Sequence, residues 1–207
     1  MIKFENTLVN NFEPALRGMR NPLNSWDKSD SIYTLDGDLV SIGLTDYALA
    51  KKLALAGSDH GKFLRMITVS VDCTAPLYWW KQADTYKVGT VANSCSTMHK
   101  IQSKKFIRDD FSTEHMNALS LDVLSIVIAE LNSNRKLYLT TGDKIYWWQM
   151  VQLLPTSYNQ KRTLLLNYEV LRAMYHGRKN HKLDEWHDMC RWIESLPYSE
   201  LITEERK

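Results

Sequence analysis

The chain is short of the residues that punctuate or staple a fold, with 8 glycines, 5 prolines and 3 cysteines in 207 residues. That scarcity excludes collagen-like and low-complexity classes. The cysteines, Cys73, Cys95 and Cys190, are odd in number and far apart, which argues against a disulfide framework or a Cys-x-x-Cys zinc site and fits a reducing compartment. No sign of charge dominates: 26 basic against 24 acidic residues leave a formal +2. Nothing in that balance calls for a nucleic acid or a membrane surface, so any anionic ligand must be met locally. No apolar run is long either. Leu119–Ala129 contains Asp122 and falls well short of the roughly 20 residues needed to cross a bilayer, and the amino terminus has no stretch like a signal peptide. The expectation is a cytoplasmic protein that holds no metal and touches no membrane.

What is present is an ordinary globular composition, 44% hydrophobic and 24% charged, and a length that suits one domain with embellishments. Tryptophan and tyrosine are the unusual residues, 7 and 10 in number, with pairs at Trp79-Trp80 and Trp147-Trp148. Such side chains fill cores or meet planar ligands.

Residues 1–44 carry turn formers at Asn21-Pro22, Asn24-Ser25 and Asp36-Gly37-Asp38. They read as an irregular embellishment of a single domain at 45–207. Thr45 is placed to cap a short helix that Gly57 ends. Met66–Cys73 alternates apolar and polar residues, as a half-buried strand does, and Ala75 to Lys87 is expected to be helical, opening at Pro76. The small-residue stretch 88–101 reads as a loop beside a strand. Leu119, Val123, Val127 and Leu131 share one stripe of a long helix. Lys144–Leu154 makes another, stopped by Pro155. Ser157 with Gln160 would box the start of a helix presenting Leu164, Tyr168, Leu171 and Tyr175. A last helix carries Leu183, Trp186, Cys190 and Ile193. The sum is an α+β domain, rich in helix.

Two polar clusters carry the chemistry. Asn167, Arg172, His176, Arg178, Lys179 and His181 crowd one helical region. This is either a solvated face or a helix end that holds phosphate, since arginine grips planar oxyanions bidentately. Arg172 and Arg178 could line one pocket if the helix ended between them. The other cluster is Lys81–Lys87 followed by Val88–His99, a polar helix end and a loop rich in hydroxyls, where backbone can approach phosphate. Cys95 and His99 lack a third partner and read as a packed thiol and an ordinary histidine.

Taken together, the clusters resemble the flavin-dependent thymidylate synthase family. Lys81-Gln82-Ala-Asp-Thr85-Tyr86-Lys87, then seven residues, then Cys95, matches the spacing of that family's Arg-Gln-x-x-Arg-His-Arg and following serine. Leu154-Pro155, Tyr158, Asn167-Tyr-Glu-Val-Leu171 and Arg178 are similar to its Leu-Pro, Asn-x-Arg-x-Leu and later arginine. The likeness covers about residues 58–195 and leaves 1–44 unexplained. It implies a small mixed sheet wrapped by helices and a homotetramer with sites between subunits for FAD, dUMP and a folate. It also implies methyl transfer without an obligatory protein nucleophile, so Cys95 stands in a serine's place and not in a catalytic thiol's.

The chain departs from the pattern at Thr85-Tyr86-Lys87 and at Glu169. Each missing arginine removes a charge-assisted contact worth on the order of 1.5–3 kcal/mol. Two readings follow. One is binding of a nucleotide or nucleotide-derived ligand between subunits, a phage-type protein that sequesters a nucleotide signal being one form of it. Its ligand set is Gln82, Tyr86, Lys87, Ser94, Cys95, Ser96, His99, Asn167, Arg172 and Arg178. The other is an FAD-dependent enzyme that methylates dUMP or a similar pyrimidine nucleotide. Catalytic residues are not assigned. Nucleic-acid binding through the paired tryptophans is the remote third.

Overall fold

The computed structural model describes residues 2–206. In chain order its elements are β1 (Lys3–Asn10), α1 (Phe12–Arg20), β2 (Ile32–Tyr33), β3 (Leu39–Ser41), α2 (Leu44–Leu55), β4 (Thr68–Pro76), α3 (Leu77–Ala83) and β5 (Val91–Ser94). There follow α4 (Ala118–Thr141), α5 (Lys144–Leu153), β6 (Asn159–Asn167), α6 (Tyr168–Arg178), α7 (Asp184–Glu194) and α8 (Glu200–Thr203). One sheet has four strands in the order β1-β4-β6-β5, and β2 pairs with β3 as an antiparallel ribbon. This is the expected α+β class, a small sheet with helices around it.

Period-two burial explains β4. Val69, Val71, Cys73 and Ala75 are all 1% exposed or less, while the residues between them are half-buried, so the strand runs on through Pro76. That length displaces two expectations. The following helix opens at Leu77, with Pro76 as its N-cap, and ends at Ala83. The boxed helix expected after Ser157 is instead strand β6. Gln160, Leu164 and Leu166 are buried at even positions, which a helix could not arrange. The real N-cap of α6 is Asn167, whose Oδ1 accepts from the Val170 amide at 2.9 Å.

The chain forms two compact units. The first, Cys73–Thr85 and Asn93–Arg162 with Ile2 and Lys3, is built on α4 and α5 over a core of Ile101, Phe106, Phe111, Leu124, Leu131 and Met150. Asn117 caps α4 by accepting from the Ser120 amide, and Gly142 ends it at φ 71°. The stripe expected on α4 is half right. Leu131 is buried, but Leu119 and Val123 are 71% and 53% exposed, and Leu124 faces the core in their place. Trp79 and Trp80 are core residues at 1% and 2% exposure. The Trp80 indole N–H donates to the Gln160 carbonyl, and the Arg162 guanidinium lies 4.1 Å from its ring centroid.

The second unit, Phe4–Asp72, Tyr86–Ala92 and the chain from Thr163 onward, contains most of the segment expected to be irregular. That segment in fact supplies β1 and α1. Its strand is mostly exposed, so no alternation shows, and Pro14 and Gly18 interrupt the helical signal of α1. A buried ion pair anchors it. Arg20 Nε donates to Asp46 Oδ1 at 2.6 Å, and Asp46 Oδ2 accepts from the hydroxyls of Ser29 and Ser31 and the amides of Asp30 and Ser31. Burial pushes the Asp46 carboxyl up, but the hydrogen bonds from Ser31, Ser29 and Arg20 outweigh it and hold the group below the usual carboxylate range. Asp30 accepts from the Thr45 and Asp46 amides, so Gly43, not Thr45, is the N-cap of α2. A Cβ at Gly43 would lie 2.2 Å from the Asp30 side chain.

Candidate functional site

Loop 86–90 is pinned to both ends of α6. At the last turn of the helix, Arg178 Nε donates to the Tyr86 hydroxyl at 3.0 Å. The guanidinium lies 5.5 Å from the Tyr86 ring centroid and 4.9 Å from that of Trp186. The two rings meet edge to face, and the His181 ring packs on Trp186 from α6's far side of the turn. Both Nη groups of Arg178 meet no acceptor among the described residues, so a half-buried cation is held by the aromatic pair and its Nε edge while its Nη groups stay available.

At the helix's first turn, Asn167 Nδ2 reaches the Gly89 carbonyl at 3.5 Å. Gly89 sits at φ 77°, and a Cβ there would come within 2.6 Å of Asn167 Nδ2, so only glycine lets loop and helix approach this closely. Between these anchors Lys87 is exposed. Thr90 Oγ1 is buried without a hydrogen-bond partner, an orphan of the kind that asks for a ligand or water. Arg178 thus keeps four Nη–H bonds and Lys87 its ammonium, donors of the kind that suit an oxyanion, while the orphaned Thr90 hydroxyl lies beside Gly89 toward the other end of the helix.

In the first unit a cavity of about 280 Å³ is lined by Thr74, Cys95, Ser96, Thr97, Lys104 and Tyr158, with Asp109, Asp110, Asn159, Gln160 and Lys161. Gln160 Nε2 donates to the Cys95 carbonyl at 2.7 Å, and the Cys95 amide donates to Lys161. Cys95 is the exposed cysteine, while Cys73 and Cys190 are buried. Asp110 takes Lys104 as an ion-pair partner. Burial pushes the Tyr158 hydroxyl up, with Asp110 and Cys95 adding to the effect, which keeps it a neutral donor.

The sequence-derived ligand residues are therefore distributed as follows. Tyr86, Lys87, Asn167 and Arg178 gather in the second unit. Cys95 and Ser96 line the cavity of the first. The Ser96 hydroxyl accepts from the Met98 and His99 amides and shapes that loop, and His99 and Ser94 are exposed. The Gln82 carbonyl closes the end of α3 by accepting from Thr85. Arg172 does not share a pocket with Arg178, because α6 runs unbroken through both. It is 3% exposed and donates to the carbonyls of Leu201, Ile202 and Glu204. Glu169, which stands where an arginine was expected, is neutralised by Arg206 at 3.0 and 3.2 Å. Trp186, Thr90, Lys104 and Asp110 were missed as site residues. Only Trp186 left a signal, its helical spacing from Leu183 and Cys190.

No family model and no curated protein sequence matches the chain. Its architecture is nevertheless specific: it is the fold of the flavin-dependent thymidylate synthases. Thymidylate synthase X (ThyX) from Helicobacter pylori, solved with FAD and dUMP, superposes with a TM-score of 0.70 at 15% identity, covering 98% of this chain and 97% of that one. A second structure of the H. pylori enzyme complexed with FAD and dUMP gives 0.67 at 16%, covering 98% and 96%. The UMP/dUMP methylase PolB from Streptomyces cacaoi, bound with 5-Br dUMP, gives 0.68 at 13%, covering 100% and 96%. At such identities the shared property is the fold. It takes in residues 1–44, which the sequence motifs had left outside.

Proposed function

We propose that the chain is a pyrimidine-nucleotide methylase of the flavin-dependent kind, acting on dUMP or a close relative. The observation that carries this reading is the end-to-end likeness to three structures of dUMP-binding proteins, two of them named with FAD. The donor set at the Tyr86–Arg178 corner supports it. In this reading Arg178 and Lys87 hold the phosphate of the nucleotide or of the flavin, and Tyr86 and Trp186 keep the guanidinium aimed. A bound flavin would supply the reducing equivalents that convert a transferred one-carbon unit to a methyl group. Cys95 is not needed as a nucleophile.

The same reading makes the working form a homotetramer. Leu119, Val123 and Ile126, which share one stripe of α4, are all more than 50% exposed. An apolar face of that kind suits burial against further copies. Light scattering is expected to give an assembly, and Ile126→Asp to dissociate it.

A second reading, binding of a nucleotide-derived ligand without methyl transfer, is favoured by one observation: the Glu169–Arg206 pair puts a satisfied ion pair where the family's motif has a free arginine. The two are separated by loading the purified protein with FAD, desalting it and recording its absorbance. It is then assayed with dUMP, methylenetetrahydrofolate and NADPH. Retained flavin and formed thymidylate are expected. A colourless, inactive protein whose melting temperature still rises with dUMP would replace the first reading by the second, and no response to either ligand would remove both.

A further inference from the structure

The other arginine of α6 borders a cavity of about 350 Å³, lined by Glu169, Arg172, Ala173, His176, Glu205 and Arg206. Arg172 Nη1 donates to the carbonyls of Leu201 and Ile202 at 2.9 and 3.1 Å, and its Nη2 donates to that of Glu204. A guanidinium carries five N–H bonds, so Nε–H and one Nη2–H meet no acceptor among the described residues. This buried cation therefore keeps two N–H donors beside the cavity, the number a carboxylate can accept.

The rest of the lining decides the class of ligand. Glu169 is paired with Arg206, Glu205 with Lys179, and His176 Nε2 lies 3.0 Å from the Ile202 carbonyl. Burial, with Arg172 and Lys179 close by, holds the His176 pKa below the ordinary histidine value, so the imidazole is neutral near pH 7. Two guanidiniums and two carboxylates then face one space. A phosphate dianion would approach two carboxylates, and a simple amine would approach the Arg172 guanidinium. A small molecule carrying both charges complements both sides, and the volume sits at the lower end of ligand sites.

We propose that this cavity binds a small zwitterion of the α-amino-acid class, its carboxylate on the remaining N–H donors of Arg172 and its ammonium toward Glu169 and Glu205. The site uses neither Arg178 nor loop 86–90, and it shares with the nucleotide reading only Glu169, whose carboxylate is already paired with Arg206.

The test is a thermal-shift and calorimetric screen of the full chain against the common L-α-amino acids, each beside its decarboxylated amine, its deaminated acid and inorganic phosphate. At least one amino acid is expected to raise the melting temperature. Its amine and its acid should bind about tenfold or more weakly. Glu169→Gln should weaken binding similarly. Ala173→Phe, at an exposed helix position, should fill the cavity and abolish the shift while the unliganded melting temperature holds. A flat screen, an equal response to phosphate, or a shift that survives Ala173→Phe would each overturn the proposal.

Discussion

Arg172 and Arg178 leave the same helix and end in opposite circumstances. The first is buried and donates to three carbonyls of residues 201–204, whereas the second lies against an edge-to-face pair of aromatic rings, hydrogen-bonded to one of them, with both Nη groups unfilled among the described residues. One supports structure first and offers only its remaining N–H donors. The other pins loop 86–90 through Tyr86 and leaves both Nη groups free for a ligand. Residue type and neighbouring sequence do not distinguish them; what each side chain meets does.

Arg172→Ala should show the largest effect. It strands buried carbonyls of residues 201–204 and should cost about 3–5 kcal/mol, read as a lower urea midpoint. Arg178→Ala should change stability by less than about 1 kcal/mol yet weaken dUMP binding by about 1.5–3 kcal/mol, the worth of a charge-assisted contact, measured by calorimetry. Equal destabilisation by the two variants would erase the contrast. Gly89→Ala comes next. A side chain forced to φ 77° beside Asn167 should cost about 1–2 kcal/mol and loosen the loop that carries Lys87, so nucleotide affinity should fall with stability.

The smallest effect is one of pH. His176 has a folded pKa below its unfolded value of about 6.5, so between the two values the unfolded chain binds more protons. Stability is therefore full above about pH 6.5 and declines as pH falls through the folded value. Protection factors of the 201–206 amides, corrected for the intrinsic exchange rate, should fall over that range, while those at Tyr86 and Arg178 should not change. The depressed Asp46 carboxyl obeys the other familiar case. Its contribution holds above the ordinary carboxylate value of about 3.9 and is lost as pH drops further, through its own lowered value. That should free the 20–46 region last.

How much of this was legible in the sequence follows the range of the interactions. Helices with strong local signals, such as α5, α7 and the capped body of α4, were visible. The residues proposed to meet an anion, Tyr86, Lys87, Asn167 and Arg178, stood out in the sequence as two polar runs whose spacing resembles the family's motif, and the structure places all four on loop 86–90 and α6. Strand β6 was not visible, because Leu164, Leu166 and Tyr168 suit a helical stripe as well as a strand, and only burial on the sheet decides. The fate of Arg172 was hidden for another reason. Its partners are main-chain carbonyls some thirty residues on, and carbonyls leave no mark in a sequence. The same holds for Arg206 facing Glu169, a pairing that turns an apparent charge conflict into a neutral one.

The Trp186 contact at Arg178 also makes the protein its own optical probe. Trp186 has a guanidinium against its face, and any anion that draws this cation toward itself must change the field on the indole. Occupancy of that corner should therefore be readable as altered tryptophan fluorescence, without a label, and the Trp186→Phe protein should stay silent to the same addition.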